Sequence, residues 1–208
     1  MKYKLVIFDF DGTLADSFPW FLGIVDRVAD KYNFKRVEEG DLELVRGYEA
    51  SAILKHFRVP IWQLPMIANH VRTLMGQDIH QIALFDGIDA LLRHLSHSGV
   101  TLALVTSNSY ENVRQVLGSE NAALIQHYEC GVGIFGKQSK LKKVLKQSGI
   151  SAHEAIAIGD EMRDGEAAAK AKIAFGAVSW GYTRIEALKA HSPSEVFTTV
   201  GEIAEKIA

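Results

Sequence analysis

From Thr101 onward, short runs of β-forming residues alternate with helical ones, and that alternation restricts the chain to a parallel sheet covered on both faces. Strands are expected at Thr101–Thr106, Glu129–Val132, Ala155–Ile158, Ala174–Ser179 and Glu195–Phe197. Helices are expected at Glu111–Leu117, Leu141–Gln147 and Gly165–Lys172, with a last one at the C-terminal end. An earlier strand is expected over Lys4–Phe10, where Leu5 to Phe8 is continuously apolar, as a strand buried on both faces requires. Between that strand and Thr101 only helical periodicity is present. Asp16 and Ser17 are placed to cap a helix with Pro19 in its first turn. Leu64–Met75 reads as another helix, and Asp86-Gly87 opens a third, Ile88–His97, that Gly99 ends. The pattern predicts a core from residues 1–15 and 84–208 and an inserted helical unit over 16–83.

A length of 208 residues suits one core domain carrying a smaller insertion. The formal net charge of -2 sets up no field that would recruit nucleic acid or a membrane surface, so neither is expected as a partner. The single cysteine, Cys130, excludes an internal disulfide and suits a reducing compartment. No apolar run approaches the ~20 residues of a membrane span. The Leu5–Phe8 run is cut by Asp9 and Asp11, so it makes no signal-peptide core. A cytoplasmic location is expected.

In parallel sheets, ligands bind beyond the carboxyl ends of the strands. The first strand ends in Asp9 and Asp11, followed by Gly12-Thr13. The second ends in Thr106-Ser107-Asn108, and the strand near Ile158 in Gly159-Asp160-Glu161, with Asp164 close behind. Gly136-Lys137 precedes a helix at the same edge. Acids at such positions commonly cap helices or face solvent. Asp9 and Asp11, however, lie two apart and so share one face. Two carboxylates there repel, and a cation resolves the repulsion. An all-oxygen site of this kind suits Mg2+.

Phe8-Asp9-Phe10-Asp11-Gly12-Thr13-Leu14 resembles the first motif of the haloacid dehalogenase-like (HAD) superfamily. Leu102-Ala103-Leu104-Val105-Thr106 resembles the second, Lys137 the third, and Gly159-Asp160-Glu161-Met162-Arg163-Asp164 the fourth. All four stand in the family's order between residue 4 and about 165. The resemblance implies an α/β fold with a Rossmann-like parallel sheet and an inserted α-helical cap domain, similar to the phosphoglycolate phosphatase and β-phosphoglucomutase branch. It implies Mg2+ as cofactor, held by Asp9, Asp11 (through its carbonyl), Asp160 and Asp164, with Glu161 an alternative helper. Asp9 becomes the nucleophile and carries an aspartyl phosphate. Asp11 becomes the general acid and base. Thr106, Ser107 and Asn108 hold the phosphoryl oxygens, and Lys137 neutralises charge.

Some assignments stay open at this level. The family's third motif often reads Lys-Pro, whereas Gln138 follows Lys137, and Lys140 lies one turn further on. Lys137 is preferred because Gly136 before it places it at a helix start. Arg46, beside Gly47, is the candidate to meet an anionic part of the substrate, against the alternative of a solvated surface arginine. Trp20 and Trp62 are expected to pack the cap. The expected activity is hydrolysis of a small phosphorylated metabolite, a phosphomonoester, with a phosphomutase as alternative. Haloacid dehalogenase, phosphonate hydrolase and non-enzymatic binding readings are less favoured.

Overall fold

The computed structural model describes residues 2–133 and 136–207. Among the described residues six strands form one sheet: β1 (Leu5–Phe8), β2 (Thr101–Val105), β3 (His127–Glu129), β4 (Ala155–Gly159), β5 (Ala174–Val178) and β6 (Glu195–Phe197). All pair in parallel in the order β3-β2-β1-β4-β5-β6. The chain builds outward from β1 through β2 to β3, then returns to lay β4, β5 and β6 on the other side. The crossovers therefore diverge between β1 and β4, and the crevice at such a reversal is where open α/β sheets take ligands.

After β1, and ahead of α5, come α1 (Phe18–Tyr32), α2 (Asp41–Val45), α3 (Ala50–His56) and α4 (Leu64–Gln77). Beyond them come α5 (Ile88–His97), α6 (Tyr110–Leu124), α7 (Lys137–Ser148), α8 (Met162–Ala171), α9 (Ile185–Lys189) and α10 (Val200–Ile207). Because successive strand residues face opposite ways, β1 feeds two cores. Val6 and Phe8 pack with Leu102, Leu104, Ile156 and Ile158 beneath α5, α6 and α10. Leu5 and Ile7 pack with Ala103, Val105, Ala155 and Ala157 beneath α7, α8 and α9. This double burial is why β1 reads as an unbroken apolar run. Trp20, Ile24 and Val28 of α1, with Leu74 and Met75 of α4, continue the first of these cores toward the strand ends.

Several expectations need correction. The third strand runs His127–Glu129, not Glu129–Val132. Gly131 takes φ +68, and the amides of Gly131 and Val132 turn away to the carbonyls of Asn108 and Thr106. The helix expected at Glu111–Leu117 continues to Leu124 across a kink at Gly118, whose φ of 71 and ψ of 170 are not helical. Ser17 precedes α1, but its side chain caps no amide there; the hydroxyl pairs instead with the Tyr182 hydroxyl at 3.0 Å. Trp20 packs as expected, but Trp62 is 74% exposed.

Asp41, at the start of α2, anchors the insertion locally. It accepts from the Glu38 amide at 2.9 Å, from His56 at 2.7 Å and from Lys35 at 3.0 Å. These donors, the Glu38 amide first, hold its carboxyl near 2, below the ordinary 3.8. A depressed carboxylate stabilises the fold above its unfolded pKa, and that contribution disappears as pH falls through the folded value. Asp41→Asn is therefore expected to unfold at lower temperature than the wild type at pH 7. The gap should hold down to pH 5 and narrow below about 4. Thermal melts across that range check it, and a gap that widens on acidification would refute it.

Candidate active site

β1 and β4 are adjacent and in register, Phe8 opposite Ile158. The residues just past their ends, Asp9 and Asp160, are thereby delivered to one spot. Asp9 is 5% exposed and Asp160 fully buried. Asp9 Oδ1 accepts from the Phe10 amide at 2.8 Å, and Oδ2 meets Lys137 Nζ at 2.7 Å. The same lysine donates to Asp164 Oδ1 at 2.5 Å. Asp164 also receives the Glu161 amide at 3.0 Å and forms a capping box with Glu161 at the start of α8. That cap explains why α8 begins at Met162 and not at Gly165. Asp160 accepts from the Thr13 hydroxyl and from the Tyr182 amide, both at 2.8 Å.

This close approach depends on two glycines. Gly12 holds φ +73, and a Cβ there would strike the Asp160 carboxylate and the Tyr182 ring. A Cβ on Gly181 would collide with the Asp160 side chain. Neither position admits a larger residue without moving Asp160.

Ligand oxygens of Asp9, Asp160 and Asp164 lie within 4.8 Å of one another. Burial lifts the Asp9 carboxyl to about 7 against the pull of Lys137, with Asp164 adding to the rise. Burial likewise pushes Asp160 well above its ordinary value, with Glu161, Asp164 and Asp9 reinforcing it. Burial opposes the charge on Lys137, yet Asp164 and Asp9 carry its pKa to about 12. Carboxylates still outnumber cations at this spot. Buried oxygen donors carrying uncompensated negative charge fit a hard divalent cation.

Asp11 turns toward β2, where Asn108 Nδ2 donates to its two carboxylate oxygens at 3.2 and 3.1 Å. Asn108 is itself held by Asn112 Nδ2 at 3.0 Å and by the Ser109 amide at 2.8 Å. Burial raises the Asp11 carboxyl, and hydrogen bonds from Ser17 and Asn108 oppose the rise. Thr106 is fully buried, and its hydroxyl accepts from the Asn108 amide at 3.0 Å. Ser107 and Asn108, but not Thr106, line the open space above Asp9.

That space is a cavity of ≈ 360 Å³. Its floor is Asp9, Asp11, Ser107, Asn108, Glu161 and Arg163, and its walls come from α1, α3, α4 and Tyr182. Arg46 does not line it. Its Nε donates to the Tyr182 carbonyl and its Nη2 to the Gly181 carbonyl, both at 3.0 Å, and its guanidinium lies 5.5 Å from the Phe18 ring centre. The structure therefore does not bring Arg46, expected to meet substrate, into this space: two of its donors tie the helices between β1 and β2 to the loop after β5. Lys140 is drawn away to Glu129 at 2.9 Å, which leaves Lys137 beside Asp9.

Three cavity residues escaped the sequence reading. Arg163 donates to Glu161 and sits inside the fourth motif, among the positions that the motif leaves unspecified. Burial works against its charge, but Glu161, Asp9 and Asp164 raise its pKa further. Arg72 on α4 donates through Nε to the Ser107 carbonyl at 2.7 Å. It had no signal beyond being a basic residue on an amphipathic helix. Tyr182, whose hydroxyl burial holds protonated with Asp11 reinforcing the effect, lies in a loop with no motif.

The model of the family described as haloacid dehalogenase-like hydrolase matches residues 6–178. The chain belongs to that family and is an enzyme of its hydrolase class. It is 27% identical to a phosphoglycolate phosphatase of Synechococcus elongatus, over 98% of this chain and 97% of that protein. It is 30% identical to the tyrosine-protein kinase PtkA of Mycobacterium tuberculosis, over 98% of this chain and 72% of that protein. The crystal structure of a predicted phosphatase from Clostridium acetobutylicum superposes with a TM-score of 0.82 at 23% identity, covering 100% of this chain and 99% of the other, a likeness of fold. Among the described residues no helix is long and apolar enough to cross a membrane.

Proposed function

We propose that this enzyme is a Mg2+-dependent phosphatase that hydrolyses a small phosphomonoester through an aspartyl phosphate on Asp9. The observation that carries the reading is the Asp9–Lys137–Asp164 array beside Asp160, set under a cavity at the switch point of the sheet. Asp9, Asp160 and Asp164, with the Asp11 carbonyl, would hold the metal, whose chemistry would be to neutralise phosphoryl charge.

The chain's own groups account for the remaining steps. Asp9 Oδ2 attacks phosphorus, and the P–O bond to the leaving alcohol breaks. Lys137, fixed between Asp9 and Asp164, balances charge on the attacking carboxylate and the moving phosphoryl group. Asp11, steered by Asn108, gives its proton to the leaving oxygen. It then takes a proton from the water that cleaves the acyl phosphate. Its raised pKa suits both duties, because a buried carboxyl can hold the proton and then release it. Residues 16–83 serve as a cap unit over the core of 1–15 and 84–208, excluding water from this exchange. Transfer to a sugar hydroxyl would call for polar groups on the cavity walls. The wall helices α1, α3 and α4 supply Arg72 alone, and the Tyr182 hydroxyl is paired with Ser17, so hydrolysis is the favoured reading. The similarity to phosphoglycolate phosphatases supports hydrolysis of a phosphomonoester.

Phosphate release from a panel of phosphomonoesters, with and without Mg2+, tests the reading. Activity is expected to need Mg2+ and to fall in Ca2+, which takes more ligands at longer distances and would draw both Asp9 oxygens inward. Asp160→Ala should raise the Mg2+ concentration for half-activity by tenfold or more, on the order of the loss of a metal-site partner. Asp164→Ala and Glu161→Ala should raise it less, since those side chains are already occupied in the cap of α8. Full activity after verified metal removal would overturn the metal assignment, and an unchanged Mg2+ requirement in Asp160→Ala would overturn the ligand set.

A further inference from the structure

We infer that the substrate's leaving group is a largely apolar alcohol with no second charged group, an inference that rests on the phosphatase reading above. The cavity is polar at one end only. Its two cationic side chains are both tethered at the strand-end loops, Arg72 to the Ser107 carbonyl and Arg163 to Glu161, beside the position of the phosphoryl group. The walls are Trp20, Phe21, Ile53, Leu54, Val71 and Met75, completed by two alanines and by Tyr182, whose hydroxyl is already paired with Ser17 at 3.0 Å. The indole N–H of Trp20 is already spent on Asp78 at 3.1 Å. Apart from Arg72, the wall helices α1, α3 and α4 therefore offer no polar side-chain group to whatever fills the space above the phosphate.

A leaving group ending in carboxylate or phosphate would meet those walls with its charge unpaired, which is the costly way to bury an ion. A polyhydroxylated sugar would leave its hydroxyls unsatisfied. A hydrocarbon chain or ring loses nothing there and gains the transfer of its surface from water. The volume of ≈ 360 Å³ leaves room for such a group, and lies within the about 300–1,000 Å³ of pockets that enclose small organic ligands. Arg46, the one cation expected to read a distal charge, is fastened to Gly181 and Tyr182 outside this space.

The test is binding by the intact chain, in Mg2+, of n-alkylphosphonates from methyl to hexyl, measured by calorimetry. Affinity is expected to rise about fourfold per methylene until the cavity is full, the factor that burying one CH2 contributes. Phosphonoacetate, which carries a carboxylate at comparable length, should bind at least tenfold more weakly than propylphosphonate. Ile53→Asp should flatten the series, each affinity being read relative to that of inorganic phosphate for the same variant. Ala68→Phe, which fills the space, should end the rise at a shorter chain. A flat wild-type series, or phosphonoacetate binding more tightly than propylphosphonate, would overturn the inference. Release of phosphate from the matching alkyl phosphates is scored separately. A graded series without turnover supports the apolar pocket and defeats the phosphatase reading, whereas turnover with a flat series does the reverse.

Discussion

Asp9→Asn is expected to lower turnover by about 10⁴-fold or more, the scale on which loss of a catalytic nucleophile registers. The amide is nearly isosteric, so the shape of the site survives, but it cannot form the acyl phosphate. Both oxygens of Asp9 accept hydrogen bonds, one from the Phe10 amide and one from Lys137. An amide can serve only one of them as acceptor, so one donor loses its partner. Relief of a buried carboxylate, already pushed up to about 7, works in the opposite direction. The net change in stability should stay within about 2 kcal/mol. Phosphate release together with a thermal melt separates the two effects. Turnover within tenfold of wild type in a folded Asp9→Asn protein would eliminate the covalent route.

The second large effect is expected from Lys137→Met. Activity should fall by about 10²–10³-fold, the loss seen when one fixed donor to a reacting oxyanion is removed. Stability should fall by about 3 kcal/mol, because Asp9 and Asp164 remain buried without their shared cation. Adding Asp164→Asn should return part of that stability but none of the rate, since Asp164 positions the lysine and does not replace it. A double-mutant cycle on melting temperature and on kcat reads the two quantities independently. Lys140→Met, whose lysine pairs with Glu129, should leave kcat near wild type. The opposite ranking of the two lysines would reassign the cation.

The parallel sheet was legible because strands buried on both faces leave continuous apolar runs, as at Leu5–Phe8 and Ala155–Ile158. The strand-end acids were legible because they interrupt or follow those runs directly. Boundaries were less so. Gly118 and Gly131 change the backbone direction through their own dihedrals, and nothing in apolar spacing records a dihedral. The insertion was legible as helical, but not the direction in which its side chains point. Arg46 beside a glycine looks like a reader of anions, yet two backbone carbonyls of a loop 135 residues away satisfy it first. Arg72 and Tyr182 reach the cavity only through the packing of α4 and of the loop after β5, and such long-range placement has no local spacing to betray it.

The peptide unit joining Gly181 to Tyr182 is engaged at both ends. Its carbonyl accepts from Arg46 Nη2 at 3.0 Å, and its N–H donates to Asp160 Oδ2 at 2.8 Å. A charged donor on the carbonyl polarises the amide and strengthens what its N–H gives away. For protein engineering this means that the insertion is not a detachable module. Trimming the chain to a minimal sheet enzyme, in order to widen access for bulky esters, would withdraw a cation that props up the hydrogen bond on Asp160. A shortened design would need a substitute donor facing Gly181 before its open cleft could be judged on substrate scope.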